Sequence, residues 1–224
     1  MSYKIYNING GYFFHSDEDI LQAKCTSTLI KGKKNVVVNT MAPWDDGRMI
    51  ASLVLHEVDP KQVAVVVSTN GSSSYIGNNH MFKDCIHIIG NCIQRRNVFL
   101  PDPFREGKPY LIDEDDLKVI PTPGRTLDDV SVVVKTEDKG TVVIAGDLFI
   151  KEEDIEDESI WLSTQSECPN LQRSNREMVL NMANHIIPGY GLIFEVTAEK
   201  KKLFYAQRPP FRPDPEVMAM VGIK

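Results

Sequence analysis

The sequence predicts an α/β sandwich, two β-sheets packed together with helices on the outside, and three observations lead there. Short apolar runs bounded by turn residues recur along the chain, the pattern of strands. Two longer segments repeat apolar residues at helical spacing. The two kinds of segment alternate in blocks and return to short motifs carried on turns.

Taken in order, Thr26 to Ile30 and Asn35 to Val38 flank Lys31-Gly32-Lys33-Lys34, a hairpin by position and length. Met49 to Val58 places Met49, Ile50, Leu53, Val54 and Val58 on a helical period. Val63 to Val67 is uninterrupted and reads as a buried strand. Cys85 to Ile89 alternates, with Ile86 and Ile88 on one face and Cys85 and His87 on the other, where the latter pair could form half a metal site. Leu117 to Ile120, Ser131 to Lys135 and Val142 to Ala145 make a strand-rich middle. The acidic run Lys151 to Ser159 reads as a solvated loop. Gln172 to Ile187 carries Met178, Val179, Met182, Ala183 and Ile186 at helical spacing, the second helix. That reading puts His56 on the first helix and His185 at the end of the second, as structural histidines. Lys200-Lys201-Lys202 reads as a solvated strand end. One domain is expected over residues 1–207. The tail, 208–224, is too proline-rich for a helix or a central strand, and is expected to be an extended arm or disordered.

The chain of 224 residues is long enough for one large domain with a proper core, or for two small ones. Its 31 acidic residues outnumber 25 basic ones, a formal charge of −6 that repels nucleic acid. The four cysteines form no C-x-x-C pair, which fits a reduced intracellular chain. No window approaches the ~18 apolar residues of a membrane span, and Met1-Ser2-Tyr3-Lys4 opens no signal peptide. Cytoplasm or nucleus is the expectation, with no secretion and no membrane. Phosphate loops, dinucleotide fingerprints and the G-x-S-x-G elbow are missing from the sequence.

The turn after Val63 to Val67 reads Thr69-Asn70-Gly71-Ser72-Ser73-Ser74-Tyr75-Ile76-Gly77-Asn78. Thr122-Pro123-Gly124-Arg125-Thr126, Ala145-Gly146-Asp147 and Pro188-Gly189-Tyr190-Gly191 follow it, and Val38-Asn39-Thr40-Met41 precedes it. In order and spacing this set resembles the metal-site motifs of the metallo-β-lactamase-fold hydrolases: T-H-x-H-x-D-H-x-G-N, T-P-G-H-T, A-G-D, P-G-H-G and an early V-D-T-G turn. Ala42-Pro43-Trp44, Leu127-Asp128-Asp129-Val130 and the run Gly140 to Phe149 extend the likeness. They point to a small single-domain branch whose animal form is described as a zinc-dependent ribonuclease on histone precursor RNA. The resemblance covers residues 20 to 196. It implies an αββα sandwich of two mixed sheets with the site on loops at one edge.

At the positions where the family carries its metal ligands, this sequence has Asn70, Ser72, Ser74, Tyr75, Arg125, Asp147 and Tyr190. Zinc takes about four ligands from His, Cys or carboxylate, and only Asp147 qualifies. Zinc is the family's expected cofactor, and the expectation here is that none is bound. A buried, unpaired Asp147 would be costly, so Arg125 is expected to fill the vacated space and pair with it. Tyr75 and Tyr190 are expected to fill volume, with Asn70, Ser72 and Ser74 forming a hydrogen-bonded floor. The function implied is a catalytically inactive relative, a pseudoenzyme kept as a protein-binding, scaffold or regulatory subunit. The alternative is a hydrolase or ribonuclease with an altered mononuclear or metal-free site. Expected partners are a second copy or another protein, as a homodimer or heterodimer, or a small anion drawn to Arg125. Nucleic acid is disfavoured by charge.

Overall fold

The computed structural model describes residues 2–16 and 20–207, so the proline-rich tail lies outside the described residues. Among the described residues, thirteen strands form two sheets. The first runs in sequence order: β1 (Lys4–His15), β2 (Leu21–Lys31), β3 (Asn35–Val38), β4 (Val63–Ser68), β5 (Ile86–Ile89), β6 (Cys92–Arg95) and β7 (Val98–Phe99). The second is ordered β13-β12-β11-β10-β9-β8, from β8 (Tyr110–Asp113), β9 (Leu117–Pro121), β10 (Val130–Thr136), β11 (Gly140–Gly146), β12 (His185–Pro188) and β13 (Phe194–Glu195). Both are mixed: β3–β4, β4–β5 and β11–β12 are parallel and the remaining pairs antiparallel.

Strand alternation builds three apolar layers. Val36, Val38, Val65, Val67 and Ile88 meet Val119, Val130, Val132, Val134, Val142, Ile144 and Ile187 between the sheets. Their neighbours Val37 and Val66 face outward, beneath helix α1 (Asp46–Leu55), which covers them with Met49 and Leu53. On the other side Val133, Val143, Ala145 and Ile186 lie under Val179, Leu180 and Ala183 of the α4 region. The short helices α2 (Ser73–Ile76) and α3 (Ser159–Leu162) precede α4 (Pro169–Met182), and α5 (Ala198–Ala206) closes the described chain. Parallel strand pairs need a crossover, and α1 and α4 supply those between β3 and β4 and between β11 and β12. The outer face of α1 is unusual in leaving Ile50, Val54 and Leu55 exposed.

The expected hairpin, first helix and strands are present, and several expectations need correcting. Helix α4 starts at Pro169, whose missing N–H suits a first turn, and stops at Met182, so the periodicity running on to Ile186 belongs partly to β12. Ala183 takes an extended conformation, and the Asn184 side chain accepts from Thr141 N at 2.8 Å, turning the chain into the sheet. His185 is therefore on a strand, and Lys200 to Lys202 sit in α5 rather than at a strand end. The acidic run is not wholly solvated: Glu152–Ile155 forms a 3-10 turn that buries Asp154 and Ile155. Arg176, 1 % exposed, donates to both Asp154 oxygens and to the Leu148 carbonyl, its guanidinium 4.1 Å from the Phe149 ring centre and 5.2 Å from that of buried Trp161. Strand β1 escapes the periodicity reading because Gly10 and Gly11 resemble a turn. Gly11 instead adopts φ +67° within the ribbon, and the register slips between Asn7 and Asn9.

Candidate functional site

The loops that follow β4, β9, β11 and β12 meet at one edge of the sandwich. Asn39 ends β3 with φ +60°, a conformation asparagine tolerates, and its side-chain oxygen accepts from Thr69 N at 2.9 Å and Thr69 Oγ1 at 3.2 Å. Asn78 Nδ2 donates to the Thr40 and Ala42 carbonyls at 2.7 and 2.8 Å. Beside it Gly77 N reaches the Met41 carbonyl at 2.9 Å, where any Cβ would strike the backbone of Met41 to Pro43. Thr26 joins the first sheet to the last loop, its N–H donating to the Gly189 carbonyl at 2.7 Å.

Within this frame Asp147 is the hub. Tyr75 OH donates to Asp147 Oδ1, and Asn70 Nδ2 donates to Asp147 Oδ2 at 3.0 Å. The Asn70 amide also reaches Asp129 Oδ1 at 3.1 Å, linking the two carboxyl groups. Asp129 accepts further from Thr126 N at 2.8 Å and Thr126 Oγ1 at 2.9 Å. Asn70 Oδ1 takes the Ser72 N–H at 2.9 Å, so the whole amide is used. Asn70, Tyr75, Asp129 and Asp147 are all buried. Gln172 from α4 donates to the Asp147 carbonyl at 3.2 Å, fixing that turn from behind.

Tyr190 packs with its ring centre 6.0 Å from that of Tyr75 and 5.3 Å from that of Phe13 on β1. This continues the aromatic wall onto the β1–β2 ribbon. Ser72 and Ser74 do not form a floor: Ser72 is exposed, Ser74 half-buried, and their hydroxyls lie 3.1 Å apart at the rim. Arg125 corrects the expectation too. Its Nη1 donates to the Gln165 carbonyl at 3.2 Å, and the Asp147 hydrogen bonds come from tyrosine and asparagine instead. A guanidinium on a long stem keeps its hydration at the rim, whereas Tyr75 and Asn70 project from short, buried backbone. Arg125 still faces an open depression of about 570 Å³, together with Asn70, Asp128, Asp147, Glu167 and Tyr190. Three carboxylates and one cation line it, which disfavours a small anion.

Burial raises the Asp147 carboxyl above the ordinary range, opposed by its bonds from Tyr75 and Asn70 and by the Arg125 charge. Burial likewise lifts Asp129 to about 7, despite its bonds from Thr126 and Asn70. The Tyr75 phenol is held well above the tyrosine norm by burial and by the Asp147 charge. Cys25, whose Sγ donates to the Ser74 carbonyl at 2.9 Å, is pushed up to about 12 by burial. Asp129 is the site residue that motif matching passed over. It stands in the quoted run Leu127 to Val130, but nothing local marks its contact with Asn70, 59 positions away.

This donor set does not fit zinc. Amide, hydroxyl and phenol are weak ligands, and the Asp147 oxygens already accept hydrogen bonds from Tyr75 and Asn70. Among the described residues no group of three or more His, Cys, Asp or Glu side chains is placed to hold a metal ion.

The mixed double sheet, with its helices outside and its loops meeting at one edge, is the metallo-β-lactamase fold. No protein-family model matches the chain. It is 36% identical over 187 residues to the Xenopus laevis metallo-β-lactamase domain-containing protein 1, covering 83% of this chain and 78% of that protein. The mouse protein of the same name is 36% identical over 170 residues, 75% of this chain and 63% of its own length. The chain belongs to the metallo-β-lactamase domain-containing protein 1 family. Two solved structures share the fold at low identity. A Staphylococcus aureus protein described as a probable metal-dependent hydrolase superposes with a TM-score of 0.68 at 11% identity, covering 89% of this chain and 94% of that one. A B. thuringiensis protein with N-decanoyl-L-homoserine in its active site gives 0.62 at 17%, covering 90% and 96%.

Proposed function

We propose that this chain is a catalytically inactive member of its family, a pseudoenzyme that works as a protein-binding, scaffold or regulatory subunit. One observation carries the reading. Tyr75 and Asn70 together occupy both oxygens of Asp147, the single good ligand at the seven positions that match the family's metal-site motifs. The turns around it keep their geometry through Asn39, Gly77 and Asn78, which supports retention of the fold for a purpose other than zinc chemistry. A homodimer or a heterodimer with another protein, in the cytoplasm or nucleus, is the form of action proposed. The test is metal content per chain by inductively coupled plasma mass spectrometry, on protein purified without chelator or affinity metal, paired with ester, phosphodiester and RNA hydrolysis assays. Near-zero zinc and no turnover above a Tyr75→Phe, Asp147→Asn control are expected. One or two zinc ions per chain, or turnover lost in that control, would overturn the reading.

A second reading, a metal-free hydrolase, draws on Asp129. Its carboxyl, raised to about 7 by burial and linked to Asp147 through Asn70, is tuned as a general acid or base would be. Turnover with an Asp129→Asn defect and no zinc would favour it.

A further inference from the structure

Helix α1 turns Met49 and Leu53 to the first sheet, and on the opposite face a solvated helix carries charges. This one presents Gly47, Ile50, Ala51, Val54 and Leu55 instead, all exposed. Trp44, on the turn that enters the helix, extends the apolar surface at the N-terminal end. Trp44, Leu55, Val54 and Ile50 are 82, 75, 70 and 47 % exposed, which makes roughly 500 Å² of apolar surface, near the upper end for a monomer. At the C-terminal end the same face opens into a cavity of about 320 Å³, walled by Ile50, Leu53, Val54, Val58 and Pro60. Charges of both signs, from Asp46, Arg48, Glu57 and Lys61, flank it.

A protruding ring at one end and an apolar recess at the other make this face complementary to itself. We propose that a second copy of the chain covers it, as a twofold dimer in which the two α1 helices pack antiparallel. The axis passes near Ser52, so Ile50 of each copy lies level with Val54 of the other. Trp44 of each copy then reaches the end where the other's recess opens. Gly47, with nothing within 4 Å of its Cβ position, and Ala51 leave the two backbones free to approach. An isologous contact uses one patch twice, so each knob needs its hole on the same surface, as here. Apolar core and charged rim together approach the ~800 Å² per partner that a stable interface buries. The proposal rests on the protein-binding reading and deepens it by naming the partner and the surface.

The test is sedimentation equilibrium on the full chain with any tag removed, from low micromolar to submillimolar concentration. A monomer–dimer equilibrium is expected, and Val54→Glu should raise its dissociation constant by more than about thirtyfold, the effect of losing a hot spot. Trp44 should be open to acrylamide in the dilute monomer and shielded once the dimer forms. In a Cys92→Ser, Cys168→Ser background, Ala51→Cys should cross-link two copies on mild oxidation, and Glu153→Cys, exposed on the far side of the sandwich, should not. A monomer throughout, a dimer indifferent to Val54→Glu, or cross-linking no faster at position 51 than at 153 would overturn the proposal. So would a monomer with Trp44 already shielded, which would give the face to another stretch of the same chain. Should Val54→Glu fail to fold, the cross-linking pair decides it. A zinc-free monomer would sink the dimer alone, and a zinc-loaded dimer the inactive reading alone.

Discussion

Asp147 is a buried carboxyl with both oxygens engaged by its neighbours. Each oxygen receives a neutral donor, and removing one leaves an acceptor buried without its partner. Tyr75→Phe should therefore destabilise the fold by about 1–3 kcal/mol, read as a lower urea midpoint at unchanged slope. Asp129 makes a prediction of a different kind. Its folded value of about 7 exceeds that of an unfolded aspartate, so the native state holds a proton that the unfolded chain has released. That contribution is fully present below about pH 4 and lost as pH rises towards 7, and Asp147 is shifted in the same direction. Urea unfolding should thus show the protein more stable at pH 5 than at pH 8, by on the order of 2 kcal/mol, and Asp129→Asn should flatten the difference. At this scale the sequence motifs located Asn70, Tyr75, Asp147 and Tyr190, because a turn motif fixes where the backbone goes. They misjudged Arg125, because a backbone position does not fix where a long flexible side chain ends.

The elements that cover the second sheet are tied by the Arg176–Asp154 pair, which joins α4 to the 3-10 turn and sits among Phe149, Trp161 and Phe204. Breaking one side strands a charge in an apolar layer. Arg176→Ala should cost about 3–5 kcal/mol in chemical denaturation, whereas Arg176→Met with Asp154→Leu should recover most of that loss. This layer was the least legible part of the chain. The charge density of Lys151 to Ser159 reads as solvent exposure, and only a partner 22 positions further on turns Asp154 inward. Helix α4 illustrates a related limit. A short apolar strand directly after a helix, such as His185–Pro188, continues the helical period by chance, and the break at Ala183 is set by bonds to Asn184 rather than by a proline or glycine signal. Runs buried on both faces, such as Val63 to Val67, were unambiguous because no amphipathic pattern competes with them.

Across the whole molecule, three apolar layers hold the sandwich together, and the one beneath α1 runs on into the site edge through Met41 and Tyr75. A zinc-stabilised relative would lose binding free energy to a chelator, since an ion bound only to the native state stabilises it by mass action. Here, adding EDTA to freshly purified protein should leave the thermal midpoint unchanged in a calorimetric scan, and a fall would show that an ion supports the fold. The alternation of strand and helix segments pointed to a sandwich of two sheets, whereas the order of the strands within each sheet was not read from the sequence. The β1–β2 ribbon was only half recovered, because its glycines hide a strand whose partner is known only once the chain has folded.

The two tryptophans occupy opposite environments: Trp161 is 1 % exposed beside two guanidinium groups, and Trp44 is 82 % exposed before α1. Each therefore serves as an optical reporter for its own side of the sandwich. Acrylamide should extinguish the red-shifted emission of Trp44 and spare the blue-shifted component of Trp161. With Trp44→Phe, the remaining signal would follow the opening of the α3–α4 layer separately from that of the sheets.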